Sequence, residues 1–392
     1  MTMAQSTVVD LATQESPRNG VADDFVVREA RPSDNGGLVA LAAACAMVGD
    51  LSLRIDRRPD FFALNRLEGD RWRVAVAERG GSIVGCVGWS ERRAFVNGRE
   101  MRTGYAGDLK VHPEHRDTRI ADALSLWAEA ACANLPPRAP ALITVLAGNR
   151  AMERRLSGVR GVPRFTRIGT IRTHSITILW KRGALARRGS SSIRTERARW
   201  IDVSQMGELW NRVAKNRQLA PVMTASSLGA WIRKAPGLDI SSYRIARSAS
   251  GEMLGFAAVW NQQAFKQLTV VGYSRRIAGA RKVFNVVAPV VGAEPLPAPG
   301  APLSCVTLLH VCVPGDRPDV LRALVIDAHN ELRHSGVSFM NVGLDVKDPL
   351  ANALGGLFAQ PTDVNAYVLA TRSGVAPEVM DDRPLHYEIA LV

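Results

Sequence analysis

Apolar and polar positions alternate in two long blocks, and each block predicts the same succession of elements. Phe25 to Glu29 reads as a strand, and Pro32-Ser33-Asp34-Asn35 supplies start chemistry for a helix carrying Leu38, Leu41, Cys45 and Met47. A short helix is predicted over Asp60 to Leu67. Strands follow over Trp72 to Ala77 and Ser82 to Trp89, turned at Arg79-Gly80-Gly81, and Asn97-Gly98 turns the chain into a strand over Met101 to Val111. A helix over Thr118 to Ala133 presents Ile120, Leu124, Trp127 and Ala131 on one face and is stopped by Pro136-Pro137. Ala141 to Leu146 is strand-like, Asn149 to Leu156 a short helix, and Phe165 to Leu179 an extended pair broken near Gly169.

The second block repeats this order. Ile193 to Ala198 reads as a strand, with helices over Val203 to Val213 and Ser226 to Lys234, then a hairpin of Tyr243 to Ala246 and Leu254 to Trp260. A poorly periodic, Pro-rich segment precedes a strand over Val306 to Val313. A helix over Pro318 to Leu332, a strand over Val337 to Leu344, a short helix from Pro349 and strands over Ala366 to Thr371 and Leu385 to Leu391 complete the set. Between the blocks, residues 183–192 (GALARRGSSS) have linker composition. The expected organisation is a loose tail over 1–24, a first domain over 25–182, the linker, and a second, degenerate domain over 193–392.

Length and composition narrow the class. At 392 residues, 46% hydrophobic and 22% charged, the chain can bury a sizeable core. The longest apolar run, Val283 to Val291, is too short for a membrane span and contains Asn285 and Pro289, and the acidic start lacks a secretion signal. A cytoplasmic protein with no membrane partner is expected. Five scattered cysteines, without metal-ligand spacing, read as reduced core residues and predict no metal site.

The net charge of +13 is concentrated: Arg150 to Trp200 carries fourteen bases against Glu153 and Glu196. Such a field suits a polyanion, but the segment has only Phe165, Trp180 and Trp200 as stacking aromatics, which argues against nucleic acid.

The segment richest in chemistry is Gly107-Asp108-Leu109-Lys110-Val111-His112-Pro113-Glu114-His115-Arg116-Asp117-Thr118-Arg119-Ile120-Ala121. A strand passing through a basic turn straight into a helix aims unpaired backbone N–H groups and the positive end of the helix dipole at one point, an anion site to which Arg116 and Arg119 add charge. This stretch resembles the acyl-coenzyme A motif of the GNAT superfamily, the Gcn5-related N-acetyltransferases, whose Arg/Gln-x-x-Gly-x-Gly/Ala turn falls on Arg116 to Ala121. The resemblance covers 25–182, and more loosely 193–392. It implies an α+β fold of two tandem GNAT-like domains, each with a mixed, mostly antiparallel central sheet flanked by helices. It also implies acetyl-CoA as donor, held by Leu109, Lys110, Val111, Arg116, Asp117, Thr118, Arg119, Ile120 and Ala121, with Asn149 opening a helix beside the pantetheine arm.

Two positions depart from the family pattern. Its central Gly is Arg119 here, and Leu156 stands where members often have a Tyr acid. In the second block the equivalent turn, Pro314-Gly315-Asp316-Arg317-Pro318, has lost charge and a donor. For the chemistry, simple strand alternation sets Tyr105, Gly107, Leu109 and Val111 on one face and Asp108, Lys110 and His112 on the other. Asp108 and Tyr105 are the candidate catalytic groups, and Asp50, Asp56 and Asp60 candidates for holding a cationic amine. The expected activity is transfer of acetyl to a primary amine, of a small molecule or a protein, by direct attack. A non-catalytic CoA-binding protein is the alternative.

Overall fold

The computed structural model describes residues 24–116, 119–158, 163–183, 193–371 and 374–391. Most of the expected tail and linker therefore lies outside the described residues, as do Asp117 and Thr118. The first half runs β1 (Val26–Glu29), α1 (Asn35–Ala44), β2 (Leu51–Asp56), α2 (Asn65–Glu68), β3 (Arg71–Arg79), β4 (Ser82–Val96), β5 (Arg99–Val111), α3 (Ile120–Cys132), β6 (Ala141–Leu146), α4 (Arg150–Leu156) and β7 (Phe165–Thr177). The second runs β8 (Arg194–Arg197), α5 (Val203–Ala214), α6 (Ala225–Lys234), β9 (Tyr243–Arg247), β10 (Met253–Trp260), β11 (Gln267–Tyr273), α7 (Arg275–Val291), β12 (Cys305–Cys312), α8 (Pro318–Glu331), β13 (Phe339–Asp345) and β14 (Ala359–Leu369).

Twelve strands form one sheet in the order β1-β3-β4-β5-β6-β14-β7-β13-β12-β10-β9-β8. Read from either edge inward, the order is the same six-strand pattern, with one parallel pair in each half: β5 with β6, and β12 with β13. The two patterns meet through exchanged strands. β14, from the end of the chain, pairs with β6, and β7 pairs with β13. β7 and β14 pair with each other from Phe165 opposite Leu369 to Ile176 opposite Ala359. β7 is continuous rather than broken near Gly169: β14 pairs with it throughout, a register shift between Arg167 and Gly169 absorbs the irregularity, and β13 joins its other edge from Ile171. The C-terminal segment forms a short 3-10 turn at Ile389–Leu391 instead of a strand.

Local chemistry accounts for the elements nearest the site. Asn97 (φ 52°) and Gly98 (φ 76°) both take the left-handed conformation of a tight hairpin turn between β4 and β5. α3 lays Ile120, Leu124 and Ala128 on Ala75, Ala77, Val84 and Val87. It sits close because residue 85 is glycine, where a Cβ would lie 2.8 Å from the Ile120 side chain. The second-half core gathers Trp210, Tyr243, Phe256 and Trp260.

The poorly periodic segment of the second half holds two unexpected elements. β11 pairs antiparallel with β2 in a separate two-stranded ribbon, Leu51 opposite Tyr273 and Asp56 opposite Gln267, which ties the halves together. α7 follows directly. Several bases of the Arg150 to Trp200 run are engaged internally: Arg155 pairs with Asp122, Arg172 with Asp363 and Arg197 with Glu331.

Candidate functional site: a cavity at the splayed strands

β5 and β6 are hydrogen-bonded only where Gly104 to Ala106 meet Ala141 to Ile143, and then diverge. A bulge sharpens the divergence. Cys86 faces Lys110 and Gly88 faces Gly107, so Asp108 and Leu109 both stand against Val87, and Asp108 takes φ 54°. The simple alternation expected for this strand is therefore broken at Asp108. Residues Tyr105 to Lys110 all line one cavity of about 490 Å³ that opens at the gap.

The cavity has two characters. One branch runs between α3, β5, β6 and α4 and is walled by Ala128, Cys132, Ile143, Leu156, Phe165 and Leu369. Leu156, at the position expected from the family pattern to hold a Tyr, is buried and makes part of this apolar wall. The other side is polar and is completed by the second half, through Gln262, Lys266, Thr307, Asn341 and Tyr387.

Asp108 lies at the junction. Burial works against its charge, but Lys110, paired with it directly, and the Arg57 guanidinium at 3.3 Å hold its carboxyl well below the usual range. Arg57 is itself 2% exposed and donates to the Phe61 carbonyl at 2.6 Å. A carboxylate so stabilised is a weak base. Tyr105 donates into or accepts from a closed triangle of hydroxyls, with Thr144 at 3.0 Å and Tyr387 at 2.8 Å, the latter two also 2.8 Å apart. Burial raises the pKa of Tyr105 well above its ordinary value, so it stays protonated. Lys266 moves the other way: burial, with Arg57 next in effect, pushes its ammonium down to about 8. Its Nζ donates to the Ala390 carbonyl at 3.2 Å, and Gln262 Nε2 to the same oxygen at 2.8 Å. At the end of α2, burial and then Asp108 push the Glu68 carboxyl up to about 8.

Of the remaining expected residues, Leu109, Lys110 and Asn149 line the cavity, and Asn149 caps α4 by accepting from Met152 N at 3.2 Å. Val111 stands just beyond, packed in the α3 core, its carbonyl accepting from Cys45 Sγ at 3.3 Å. Arg116 and Arg119 are exposed in the turn, and Ile120 and Ala121 begin α3. Asp56 and Asp60 are engaged by Arg58 and Arg66, and neither they nor Asp50 line the cavity. Lys266, Gln262 and Tyr387 escaped the sequence reading because they belong to stretches without a motif. All five cysteines are free thiols.

The second half keeps the skeleton of this site without its space. His310 bulges from β12 (φ 50°) as Asp108 does from β5, two residues again opposing Ala257. Yet Tyr243, Trp210 and Trp231 pack around its ring, and the void between β12 and β13 is about 20 Å³.

A mixed sheet with a parallel pair splayed at a bulge, an α3 turn at the gap, and a second copy joined by strand exchange define a tandem GNAT fold. The comparisons agree with that class. The chain is similar to Saccharomyces cerevisiae N-myristoyltransferase with bound myristoyl-CoA, itself a tandem GNAT fold, with TM-score 0.59 and 12% identity, covering 94% of this chain and 90% of that one. It is also similar to a GCN5-related N-acetyltransferase from Sphaerobacter thermophilus (TM-score 0.54, 14% identity, 91% and 99%) and to a probable N-acyltransferase from Enterococcus faecalis V583 (0.50, 10%, 88% and 73%). No family model and no curated protein matches the sequence.

Proposed function

We propose that the chain is an acyl-CoA-dependent N-acyltransferase whose donor carries an acyl chain much longer than acetyl, and whose acceptor is a primary amine. The apolar branch carries this reading. A cavity near 490 Å³ is within the range of small-molecule sites, about 300–1,000 Å³, and an acetyl methyl would leave most of the wall of Ala128, Cys132, Leu156, Phe165 and Leu369 untouched. The similarity to a myristoyl-CoA-binding transferase supports the same choice. The α3 turn with Arg116 and Arg119 suits the pyrophosphate, and the gap between Leu109 and Asn149 suits the pantetheine arm.

The bound thioester would supply an activated carbonyl. The amine nitrogen forms the new C–N bond as the C–S bond breaks, one proton leaves the amine and one is taken by sulfur. Lys266 is the group matched to both transfers: with a pKa of about 8 it can accept the amine proton in its neutral form and return it to a thiolate of ordinary pKa about 8.5. Tyr105 and Tyr387 keep their protons, and with Thr144 they form a closed triangle from which one hydroxyl can turn outward as a hydrogen-bond donor at the gap. Asp108 keeps Lys110 and Arg57 in place and is a positioning residue.

The test is release of CoA thiol, read with a chromogenic disulfide, for straight-chain acyl-CoAs from acetyl to palmitoyl against a panel of amines. The expected kcat/KM rises with chain length to an optimum at long chains. An optimum at acetyl refutes the donor assignment, and calorimetry showing no binding of any acyl-CoA refutes the enzyme.

A further inference from the structure

α7 has no counterpart among the described residues of the first half, and its outer face is unusual. Val283, Val286, Val287 and Val290 follow helical spacing and stand in solvent, Val283 at 68%, Val286 at 78% and Val290 at 86% exposure. The opposite face is held: Ala288 is buried, Arg281 and Asn285 donate to the Leu296 carbonyl at 3.0 Å each, and Tyr273 Oη donates to Pro297 at 2.7 Å. The helix is therefore locked to the body with its apolar stripe outward.

The stripe is framed by positive charge. Arg275, Arg276 and Lys282 are exposed on α7, residues 271–293 hold no acid before Glu294, and Arg333 comes up to Gly292 at the other end. Arg275 and Arg276 occupy the first turn, where the helix dipole disfavours cations, so their placement costs the helix rather than helping it. Both features, costly for an isolated globule, become favourable against one surface. Apolar side chains enter the acyl boundary while basic ones meet anionic headgroups. The ribbon that leads directly into α7 carries the exposed Val271, and its Leu268 and Ile55 line the cavity, which sets α7 next to that cavity in the chain.

We infer that α7 is an interfacial helix that docks the protein on an anionic lipid bilayer with the cavity mouth beside the membrane. This replaces the expectation of no membrane partner, which rested on spanning. No helix among the described residues is long and apolar enough to cross a bilayer, but lying on one requires a stripe rather than a span. The docking does not depend on the acyl-transfer reading, since it uses none of the cavity's residues.

The experiment is co-sedimentation of the full chain with vesicles of phosphatidylcholine alone and of phosphatidylcholine mixed with phosphatidylglycerol, at low and high salt. Binding to the mixed vesicles, weakened by salt, is expected. Val286→Glu with Val290→Glu should weaken it about tenfold or more, and Arg275→Glu with Arg276→Glu should remove the preference for anionic lipid. The two valines are exposed, so melting of the first variant should be unchanged, the second should melt no lower than wild type, and Val290→Trp should show a blue-shifted emission on the mixed vesicles only. The inference is overturned if the wild-type chain stays in the supernatant at low salt. It is equally overturned if the Val286/Val290 double variant sediments like wild type, or if light scattering shows that variant splitting a dimer in which a second copy had covered the stripe.

Discussion

Ala128, on α3 at the edge of its core contact, lines the apolar branch at 8% exposure, and Ala128→Phe would bring a phenyl ring against the path of a long chain. The ring displaces a stretch of chain of about six carbons, and at about 0.8 kcal/mol per buried methylene the loss has an upper limit near 5 kcal/mol. Relaxation of α3 and rerouting of the chain recover part of this, so we expect about 3 kcal/mol. That corresponds to roughly a 150-fold fall in kcat/KM for palmitoyl-CoA. Butyryl-CoA, whose chain ends before the ring, should change by less than about threefold. The assay is thiol release with both donors at one fixed amine, with thermal melting to separate a blocked branch from a damaged core. Cys132→Phe, deeper in the same branch, should spare medium chains that Ala128→Phe rejects. A uniform loss for butyryl and palmitoyl donors in folded Ala128→Phe protein would refute the assignment of this branch to the acyl chain.

Two further outcomes follow from the charged side of the cavity. Lys266 works when neutral, so wild-type kcat/KM should climb with pH and level off above about 8, and Lys266→Met and Lys266→Arg should both lose about 10²–10³-fold along with that limb of the profile. Retention of the limb in Lys266→Arg would exclude it as the proton carrier. Asp108→Asn leaves Lys110 and Arg57 buried without their carboxylate and should cost about 3–5 kcal/mol in denaturant unfolding at neutral pH. Because the folded-state pKa of Asp108 is depressed, that stabilisation is present above the ordinary carboxylate pKa and fades as pH falls toward the folded value, so the gap between the two proteins should narrow below about pH 4.

Periodicity identified most of the sheet and the main helices, because strands such as β3 and β4 are bounded by Gly-Gly and Asn-Gly turns and α3 and α8 carry clean apolar faces. The strand, basic turn and helix from Gly107 to Ala121 were legible for the same reason, but the gap that opens between β5 and β6 was not. Exchange of β7 and β14 was not, since Phe165 to Thr177 and Ala359 to Leu369 carry the pattern of any paired strand and nothing local names the partner. α7 escaped because Phe284, Ala288 and Val291 on its packed side interleave with the outward valines, which blurs the helical period, and Pro289 inside it reads as a breaker. The bulge at Asp108 and the delivery of Lys266 and Tyr387 to the cavity depend on the joined sheet, which no single segment encodes.

The exchanged strands also set an order on synthesis. β6 has no partner on its far side until β14 leaves the ribosome, and Leu369 and Tyr387, which close the cavity, come later than every other element of the first half. The early half must therefore wait with an open, hydrogen-bond-hungry edge and an unroofed apolar branch, a state that invites capture by chaperones or by a neighbouring nascent chain. The cavity is therefore complete only once β14 has paired with β6 and Tyr387 has been added, long after the rest of its wall has been synthesised.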